Sequence, residues 1–287
     1  MSKKLRVLVA CEYSGTVRDA FIALGHEAMS CDLLPTDRRG HHYEGDVRDV
    51  LEGWMPVSFA SDCLGGDGDG ELGDECSVCG SDYRSCPCPG PTQDGMEFIV
   101  QNDTLFARPE YRPHWDLMIA HPPCTYLSVS GIHWNDRGRG WNNTDMALEF
   151  VRMLMAQYQI PRIALENPVS IISSRIRKPD QIIQPWQFGH DASKATCLWL
   201  KGLPPLQPAR IIEPRIIGGK KRWANRTDGG QNKLGPSEDR WKIRSTTYDG
   251  IAAAMAVQWG GSAWDGEDEE DEADNDDSAD YPDPAWF

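Results

Sequence analysis

One cysteine in this sequence directly follows a short apolar run that ends at two prolines. The run Leu117 to Ala120 predicts a buried strand, and Pro122 and Pro123 fix the backbone just beyond its end. The next residue is Cys124. Because ligands bind at the carboxyl ends of strands in parallel α/β sheets, Cys124 is a candidate nucleophile. The alternative is a small buried cysteine that closes a loop.

A second predicted strand, Ile163 to Val169, also meets a proline and carries Glu166 near its end. If the two strands are neighbours, the thiol and the carboxyl group lie over one pocket. A covalent mechanism on a pyrimidine needs this pair, since the thiolate adds to C6 while the carboxyl group donates a proton or hydrogen bond to the ring nitrogen. Taken alone, Glu166 could equally cap a helix or form an ion pair.

The N-terminal residues have a strand–turn–helix–strand–acid pattern that is typical of a nucleotide-type cofactor site. The tight turn brings backbone N–H groups to the ligand, and the acid after the second strand accepts hydrogen bonds from ribose hydroxyls. The turn contains only Ser14-Gly15 in place of G-x-G-x-x-G, so any α/β protein could show it. The predicted elements are a strand Leu5–Ala10, a helix Val17–Leu24, a strand Ala28–Asp32 and a short element Tyr43–Val47 that includes Asp46.

Length and composition indicate one large domain with attachments. The 287 residues can bury a substantial core, and no apolar run is long enough to cross a membrane. The N-terminus has no secretory signal, so we expect a cytoplasmic protein whose nine cysteines are thiols or metal ligands. The net charge of −15 depends on a tail: twelve of the 44 acidic residues follow Trp264, and the other 32 oppose 29 Lys and Arg.

Residues 56–113 form a cysteine-rich insertion. Four thiols fall within thirteen positions, as a C-x-x-C pair followed by a C-x-C pair, and this spacing predicts a closed structural Zn²⁺ site with four sulfur ligands. The alternative is four unrelated thiols in a flexible insertion. The predicted ligands are Cys76, Cys79, Cys86 and Cys88.

Three further segments bear on partners. The loop from Ser128 to Asn143 interleaves basic and aromatic residues, and residues 201–245 form a basic, Gly-broken segment; both are candidate polyanion contacts, although the loop could be ordinary surface. The acidic tail, residues 264–287, is predicted to be disordered. The tail could bind a protein partner, compete with nucleic acid, or only solubilise the chain.

A helix from Thr144 to Gln157 should pack through Met146, Phe150, Met153 and Leu154.

Together these motifs resemble the DNA cytosine-5 methyltransferases, and more closely a phage-type branch of that family. The resemblance rests on Ala-Cys-Glu-Tyr-Ser-Gly, His-Pro-Pro-Cys-Thr, Glu-Asn-Pro-Val, Lys-Pro-Asp-Gln and Lys-Ala-Thr-Cys-Leu-Trp-Leu. It implies a Rossmann-like, S-adenosylmethionine-dependent fold over residues 1–55 and 114–260, which acts on cytosine flipped out of double-stranded DNA. If the gene is carried by a phage, the host cytoplasm is the expected location.

The resemblance also implies roles for individual residues. Cys124 would attack C6, and Glu166 would hold N3 and the exocyclic amine. Lys194 and Thr196 occupy positions where the family usually has arginines, so Lys194 is grouped with the catalytic residues. The implied cofactor residues are Tyr13, Ser14 and Gly15 at the methionine moiety, Asp32 at the ribose, Asp46 and Val47 at adenine, and backbone near His121.

The family's large target-recognition domain has no counterpart here, because only about forty basic and Gly-rich residues precede the last helix. We therefore expect a short or relaxed target sequence. Two other hypotheses stay open: a methyltransferase that acts on RNA or on a free pyrimidine nucleotide, and an inactive zinc-stabilised DNA-binding protein.

Overall fold

The computed structural model of the chain describes residues 3–59, 97–108, 115–238 and 240–261. Three sheets and seven α-helices lie in these ranges. The strands are β1 (Arg6–Ala10), β2 (Glu27–Asp32), β3 (His42–Glu44), β4 (Met55–Pro56), β5 (Glu97–Gln101), β6 (Thr104–Arg108), β7 (Leu117–Ala120), β8 (Arg162–Pro168), β9 (Gln181–Ile183), β10 (Thr196–Lys201), β11 (Arg215–Ile217) and β12 (Lys220–Arg222). The helices are α1 (Thr16–Ile22), α2 (Val47–Glu52), α3 (Val129–Ile132), α4 (Asn142–Met155), α5 (Ile172–Arg175), α6 (Arg240–Ser245) and α7 (Asp249–Gly260).

The central sheet has seven strands in the order β3-β2-β1-β7-β8-β10-β9. The first five are parallel, and β10 runs antiparallel to both β8 and β9. The chain moves outward from β1 to β3 and then returns to β7 on the other side of β1, so the strand order reverses between β1 and β7. Ligands bind at such a reversal in open α/β sheets. The predicted α/β class is confirmed, and the sheet is compatible with a Rossmann-like fold.

Helices cover both faces of this sheet, and the alternation of side chains along β1 divides the core. Val7 and Val9 pack with α1 and α7, while Leu8 and Ala10 belong to a second buried cluster that includes residues of α2 and α4. Successive strand residues point to opposite faces, so a strand covered on both sides must be apolar throughout. This explains why Leu117 to Ala120 is an unbroken apolar run.

The predicted helix at residues 144–157 is α4, which begins and ends two residues earlier. Its packing differs from the prediction, because Met146 is 64% exposed while Phe150 and Met153 are partly buried. The fully buried positions recur every three or four residues, as an amphipathic helix requires, and Met146 lies outside that stripe. They are Thr144, Leu148, Val151 and Leu154.

The described part of the cysteine-rich insertion packs against the edge of the central sheet. Strands β4, β6 and β5 form a small antiparallel sheet. The side-chain amide of Gln101 accepts a hydrogen bond from the Glu44 backbone N–H at 2.8 Å and donates to the Glu44 carbonyl at 3.2 Å. Asn102 donates to the carbonyl of His42. Side chains of the β5–β6 turn therefore pair with β3, the edge strand.

The basic segment at residues 201–245 contains a β-hairpin, β11–β12. Gly218 and Gly219 connect the two strands, both with positive φ angles (56° and 73°), and a two-residue hairpin turn of this kind favours glycine. The hairpin displays Arg215, Lys220 and Lys221 on an exposed ribbon. At its base, the rings of Trp186 and Trp223 stack at 5.6 Å.

In the part of the chain that the structure describes, no helix is long and apolar enough to cross a membrane. The acidic tail, residues 264–287, and the proposed zinc ligands Cys76, Cys79, Cys86 and Cys88 lie outside the described residues. Among those that are described, no group of three or more His, Cys, Asp or Glu residues is placed to hold a metal ion.

Candidate active site

Cys124 lies just after β7 and Glu166 lies near the end of β8, and these two strands are hydrogen-bonded neighbours. Strands β7 and β8 pair in parallel with Ala120 opposite Leu165, so both residues lie at the same edge of the sheet. The segment that carries Cys124 is fixed to β8, because the side-chain amide of Asn167 donates to the carbonyl of Pro122 at 2.8 Å. Asn167 is itself buried. The two strands are therefore neighbours, which is the condition for placing the thiol and the carboxyl group at one edge.

His121 and Glu166 form a close pair at this edge. Since Ala120 lies opposite Leu165, the next residues along each strand face one another, and His121 Nδ1 lies 2.7 Å from Glu166 Oε2. Only 10% of the His121 side chain and 12% of the Glu166 side chain are exposed. The backbone N–H of His121 donates to the carbonyl of Ala10, which ties the pair to β1 as well.

The pair is held in its charged form. Burial by itself raises the pKa of Glu166, but the hydrogen bond and charge of His121, together with the charge of Lys194, outweigh it and lower the pKa. Burial by itself lowers the pKa of His121, and the hydrogen bond and charge of Glu166 reverse this and raise the pKa above its ordinary value. Each charge is therefore the main stabiliser of the other in a site nearly closed to water.

The thiol of Cys124 is half-buried, and two cations act on it. Burial raises its pKa, the nearby charge of Glu166 adds to the effect, and the charges of Arg244 and Lys194 oppose it. A thiolate is the reactive form of cysteine, so these two cations favour the nucleophile. Sequence analysis identified Lys194 but missed Arg244, which belongs to the distant helix α6.

Replacing Arg244 with glutamine is expected to raise the pKa of the Cys124 thiol further, because one of the two opposing positive charges is lost. Alkylation of Cys124 by iodoacetamide at pH 8 should then slow by roughly two- to tenfold, in proportion to the lost thiolate. Mass spectrometry of the Cys124 peptide measures this rate separately from the other thiols. Arg152→Gln, a surface change on α4, is the matched control, and equal rates in the two variants would contradict the assignment.

Lys194 lies just before β10 and connects the edge that carries Cys124 and Glu166 to α6. Its Nζ donates to the carbonyl of Arg244 at 2.8 Å, and its backbone N–H donates to the side chain of Gln184. Lys194, Glu166 and Thr196 line a small cleft that opens beside α7. The other residues that line this cleft are Thr247, Tyr248 and Ile251.

The turn after β1 is built around Glu12, which sequence analysis did not single out. The Glu12 carboxylate is buried and accepts hydrogen bonds from the backbone N–H of Val17 at 2.7 Å and of Arg18 at 3.3 Å. It also accepts the Ser14 hydroxyl at 3.1 Å. The N-terminus of α1, which binds phosphate in many nucleotide sites, is thus already occupied by a carboxylate of the chain.

Gly15 makes this turn possible. Its φ angle is +68°, and a Cβ atom there would lie 2.4 Å from the guanidinium of Arg18. Arg18 is fully buried and donates to Ser30 on β2 and to the carbonyls of Arg38 and Arg39 in the next loop. Hydrogen bonds offset the cost of burying this charge, so Arg18 fixes the turn after β1 and the loop after β2 together.

Asp32 and Asp46 lie at the same edge of the sheet, Asp32 as the last residue of β2 and Asp46 just after β3. Burial raises the pKa of Asp32, while hydrogen bonds from the backbone of Leu34 and Leu33 oppose the change. Asp46 caps α2 by accepting the backbone N–H of Arg48 at 2.9 Å, and Val47 is the first residue of that helix. The pKa of the Cys11 thiol is raised mainly by burial and by Cys31, and the charges of Asp32 and Asp46 raise it further. Both carboxylates therefore lie near Cys11.

Helix α6 joins the predicted cofactor turn to the edge that carries Cys124 and Glu166. The hydroxyl of Tyr13 donates to the carbonyl of Lys242 at 2.8 Å, and the Lys242 ammonium pairs with Asp37 at 2.6 Å. The rings of Tyr13 and Trp241 lie 6.0 Å apart. At the other end of α6, the carbonyl of Arg244 accepts Lys194. The end of the basic segment therefore contacts both groups of candidate residues.

The loop at residues 128–143 carries exposed tryptophans with arginines beside them. Trp134 is 49% exposed, with Arg137 5.8 Å from its ring centre. Trp141 is 37% exposed, with Arg175 of α5 5.9 Å away. Such pairs combine a flat surface for base stacking with positive charge for phosphates. The aromatic and basic pattern of the sequence is thus displayed on the surface.

Comparison with known protein families gives no match, and comparison with curated proteins gives no significant relative.

Proposed function

We propose that this protein transfers a methyl group from S-adenosylmethionine to C5 of cytosine in DNA. The observation that carries the proposal is the placement of Cys124, just after β7, and Glu166, near the end of β8, at one edge of the sheet, where the charge of Lys194 acts on both. Covalent activation of a pyrimidine requires a thiolate at C6 and a hydrogen-bonding carboxyl group at N3, on a fixed frame.

In the proposed reaction, Cys124, Glu166 and Asn167 have separate roles. The thiolate of Cys124 forms a bond to C6, and the displaced electron pair is accommodated in the ring as N3 gains a proton from the Glu166 side. C5 then becomes nucleophilic; bound S-adenosylmethionine supplies the methyl group. A water molecule acting as base takes the C5 proton, and cleavage of the S–C6 bond then returns the thiolate. Asn167 positions Cys124 throughout, through its hydrogen bond to Pro122.

The cofactor turn suits a cationic ligand better than a dinucleotide. The N–H groups at the start of α1 are already bonded to Glu12, so a pyrophosphate would find no free donors at that point. Glu12, Asp32 and Asp46 instead give the edge a negative character, which favours the ammonium and sulfonium groups of S-adenosylmethionine. Tyr13, Ser14 and Gly15 would hold its methionine part, Asp32 its ribose, and Asp46, Val47 and the backbone at His121 its adenine side.

Double-stranded DNA is the proposed substrate because two exposed segments of the chain carry basic and aromatic groups. The β11–β12 hairpin presents three exposed cations, and the loop at residues 128–143 presents two tryptophans. A free nucleotide would need neither surface, which places the free-pyrimidine alternative second. The small hairpin also supports a short or relaxed target sequence, and bisulfite sequencing of treated DNA would reveal a long obligatory motif if one exists.

Transfer of a tritiated methyl group to DNA, RNA and dCMP tests the proposal. Methylation of DNA alone is expected, and the labelled base should be 5-methylcytosine. Labelling of RNA or dCMP alone would transfer the same chemistry to another substrate. If none of the three is labelled while the protein still binds DNA, the inactive DNA-binding hypothesis replaces this one. Metal analysis of protein purified without chelators tests the separate zinc prediction.

A further inference from the structure

His121 contacts the catalytic carboxyl group directly, and nothing in the proposed reaction yet uses its side chain. It meets Glu166 at 2.7 Å through Nδ1, while its other ring nitrogen, Nε2, is buried without a hydrogen-bond partner among the described residues. His121 comes directly before the diproline segment, so β7 and β8 hold it rigidly. A histidine that only filled space would not need a hydrogen bond to the carboxylate that the reaction requires.

We propose that His121 is a positioning residue that stores the proton required at N3 of the target cytosine and passes it on through Glu166. This inference rests on the proposed function. It solves a specific difficulty, because a carboxylate held in an ion pair carries no proton of its own to donate. The His121–Glu166 pair carries one proton in total, and that proton is the one that N3 needs.

In the proposed step, one proton moves from the His121–Glu166 pair to N3 of the cytosine and later returns. Before attack, His121 is an imidazolium, Glu166 is a carboxylate and Cys124 is a thiolate. As sulfur bonds to C6, the electron pair of the ring moves to N3, and N3 takes a proton through the Glu166 carboxyl group while His121 Nδ1 gives up its own. His121 is then neutral. A water molecule takes the C5 proton as the S–C6 bond breaks and the thiolate leaves, and the N3 proton then returns to the His121–Glu166 pair.

Charges from several elements face His121. Glu166 from β8 and Glu12 from the turn after β1 favour the imidazolium, while Lys194 from the segment before β10 opposes it. Asp32, at the end of β2, is also within range, since the charge of His121 lowers its pKa against the effect of burial. The charges of Glu166 and Glu12 therefore favour a stored proton, and the charge of Lys194 favours its release.

The proton store predicts a characteristic pH profile for single-turnover methylation. The active form needs Cys124 ionised and His121 protonated, so the wild-type rate should fall at alkaline pH. In His121→Gln the amide still donates a hydrogen bond to Glu166 but holds no transferable proton. We expect its maximal rate to drop by about 10²-fold and the alkaline fall to disappear, so that the rate only rises as Cys124 ionises.

His26→Gln is the matched control, because His26 lies at the opposite end of the sheet, where it accepts the backbone N–H of Leu5. It should keep the wild-type profile. A second measurement needs no substrate: in ¹⁵N-histidine NMR of the wild type, His121 should titrate above the ordinary histidine range, and in Glu166→Gln below it. An alkaline fall that survives in His121→Gln, or a neutral His121 at pH 6 in the wild type, overturns the inference. If wild-type protein methylates no substrate at all, the proposed function fails first and the inference fails with it.

Discussion

Cys124→Ser is expected to abolish methyl transfer, with a loss on the order of 10⁴-fold or more, because a serine hydroxyl does not ionise near neutral pH and cannot replace the thiolate at C6. The substitution changes one atom in a segment already fixed by Pro122, Pro123 and Asn167. Binding of DNA and of S-adenosylmethionine should therefore persist. Tritiated methyl transfer measures the rate, and filter binding measures the affinity for DNA.

A covalent adduct makes this result specific. DNA that contains 5-fluorocytosine cannot lose its C5 substituent, so the wild-type enzyme should remain attached to it through denaturing electrophoresis. Peptide mapping should place the adduct on Cys124. An adduct on Cys11, Cys31 or Cys197, the other free cysteines of the described ranges, would show that the nucleophile has been misassigned. Activity retained in Cys124→Ser would have the same consequence.

Glu166→Gln is expected to lower the methylation rate by about 10²- to 10⁴-fold, the range typical for loss of a general acid or base. The amide keeps the size of the side chain but cannot carry the proton between His121 and N3. It also removes the charge that raises the pKa of His121, so the histidine should become neutral at pH 7. Single-turnover kinetics at saturating DNA isolates this effect from binding.

Glu149→Gln provides the comparison for this substitution, because Glu149 is an exposed carboxylate on α4 whose partner is Arg152. Its rate should equal that of the wild type. The adduct with 5-fluorocytosine DNA should form more slowly in Glu166→Gln, since thiolate addition depends on the carboxyl group. A normal rate of adduct formation together with slow methylation would place Glu166 after the covalent step and contradict the proposed role.

The sequence predicted the parts of the site that local patterns determine. Apolar runs that end at proline located β7 and β8 to within one residue, and the parallel arrangement placed Cys124 and Glu166 at one edge. The strand–turn–helix pattern likewise located β1, α1 and β2. These predictions succeed because burial on both faces of a sheet, and the geometry of proline and glycine, are written in a few adjacent residues.

The parts that were missed depend on long-range pairing. The side chain of His121 meets Glu166 only because β7 and β8 pair with Ala120 opposite Leu165, so that the residue after each faces the other. Knowledge of this register would have been enough to predict the contact. Arg244 and Lys242 reach the site from more than a hundred residues away along the chain. The exposure of Met146 was not predicted, because the apolar spacing was compatible with more than one buried face of the helix. In the folded protein, the buried face does not include Met146.

The Gln101 side chain hydrogen-bonds both backbone groups of Glu44. This pairing would be lost in a shortened protein that lacks the insertion. An edge strand with free N–H and C=O groups is a template for a strand from another molecule, and proteins cover such edges to avoid aggregation. Here a single side-chain amide from the insertion satisfies the outer edge of β3 at Glu44. A minimal version without residues 56–113 would leave that edge open. The expected cost of removing the insertion is thus self-association through β3, whatever the insertion does for DNA or metal.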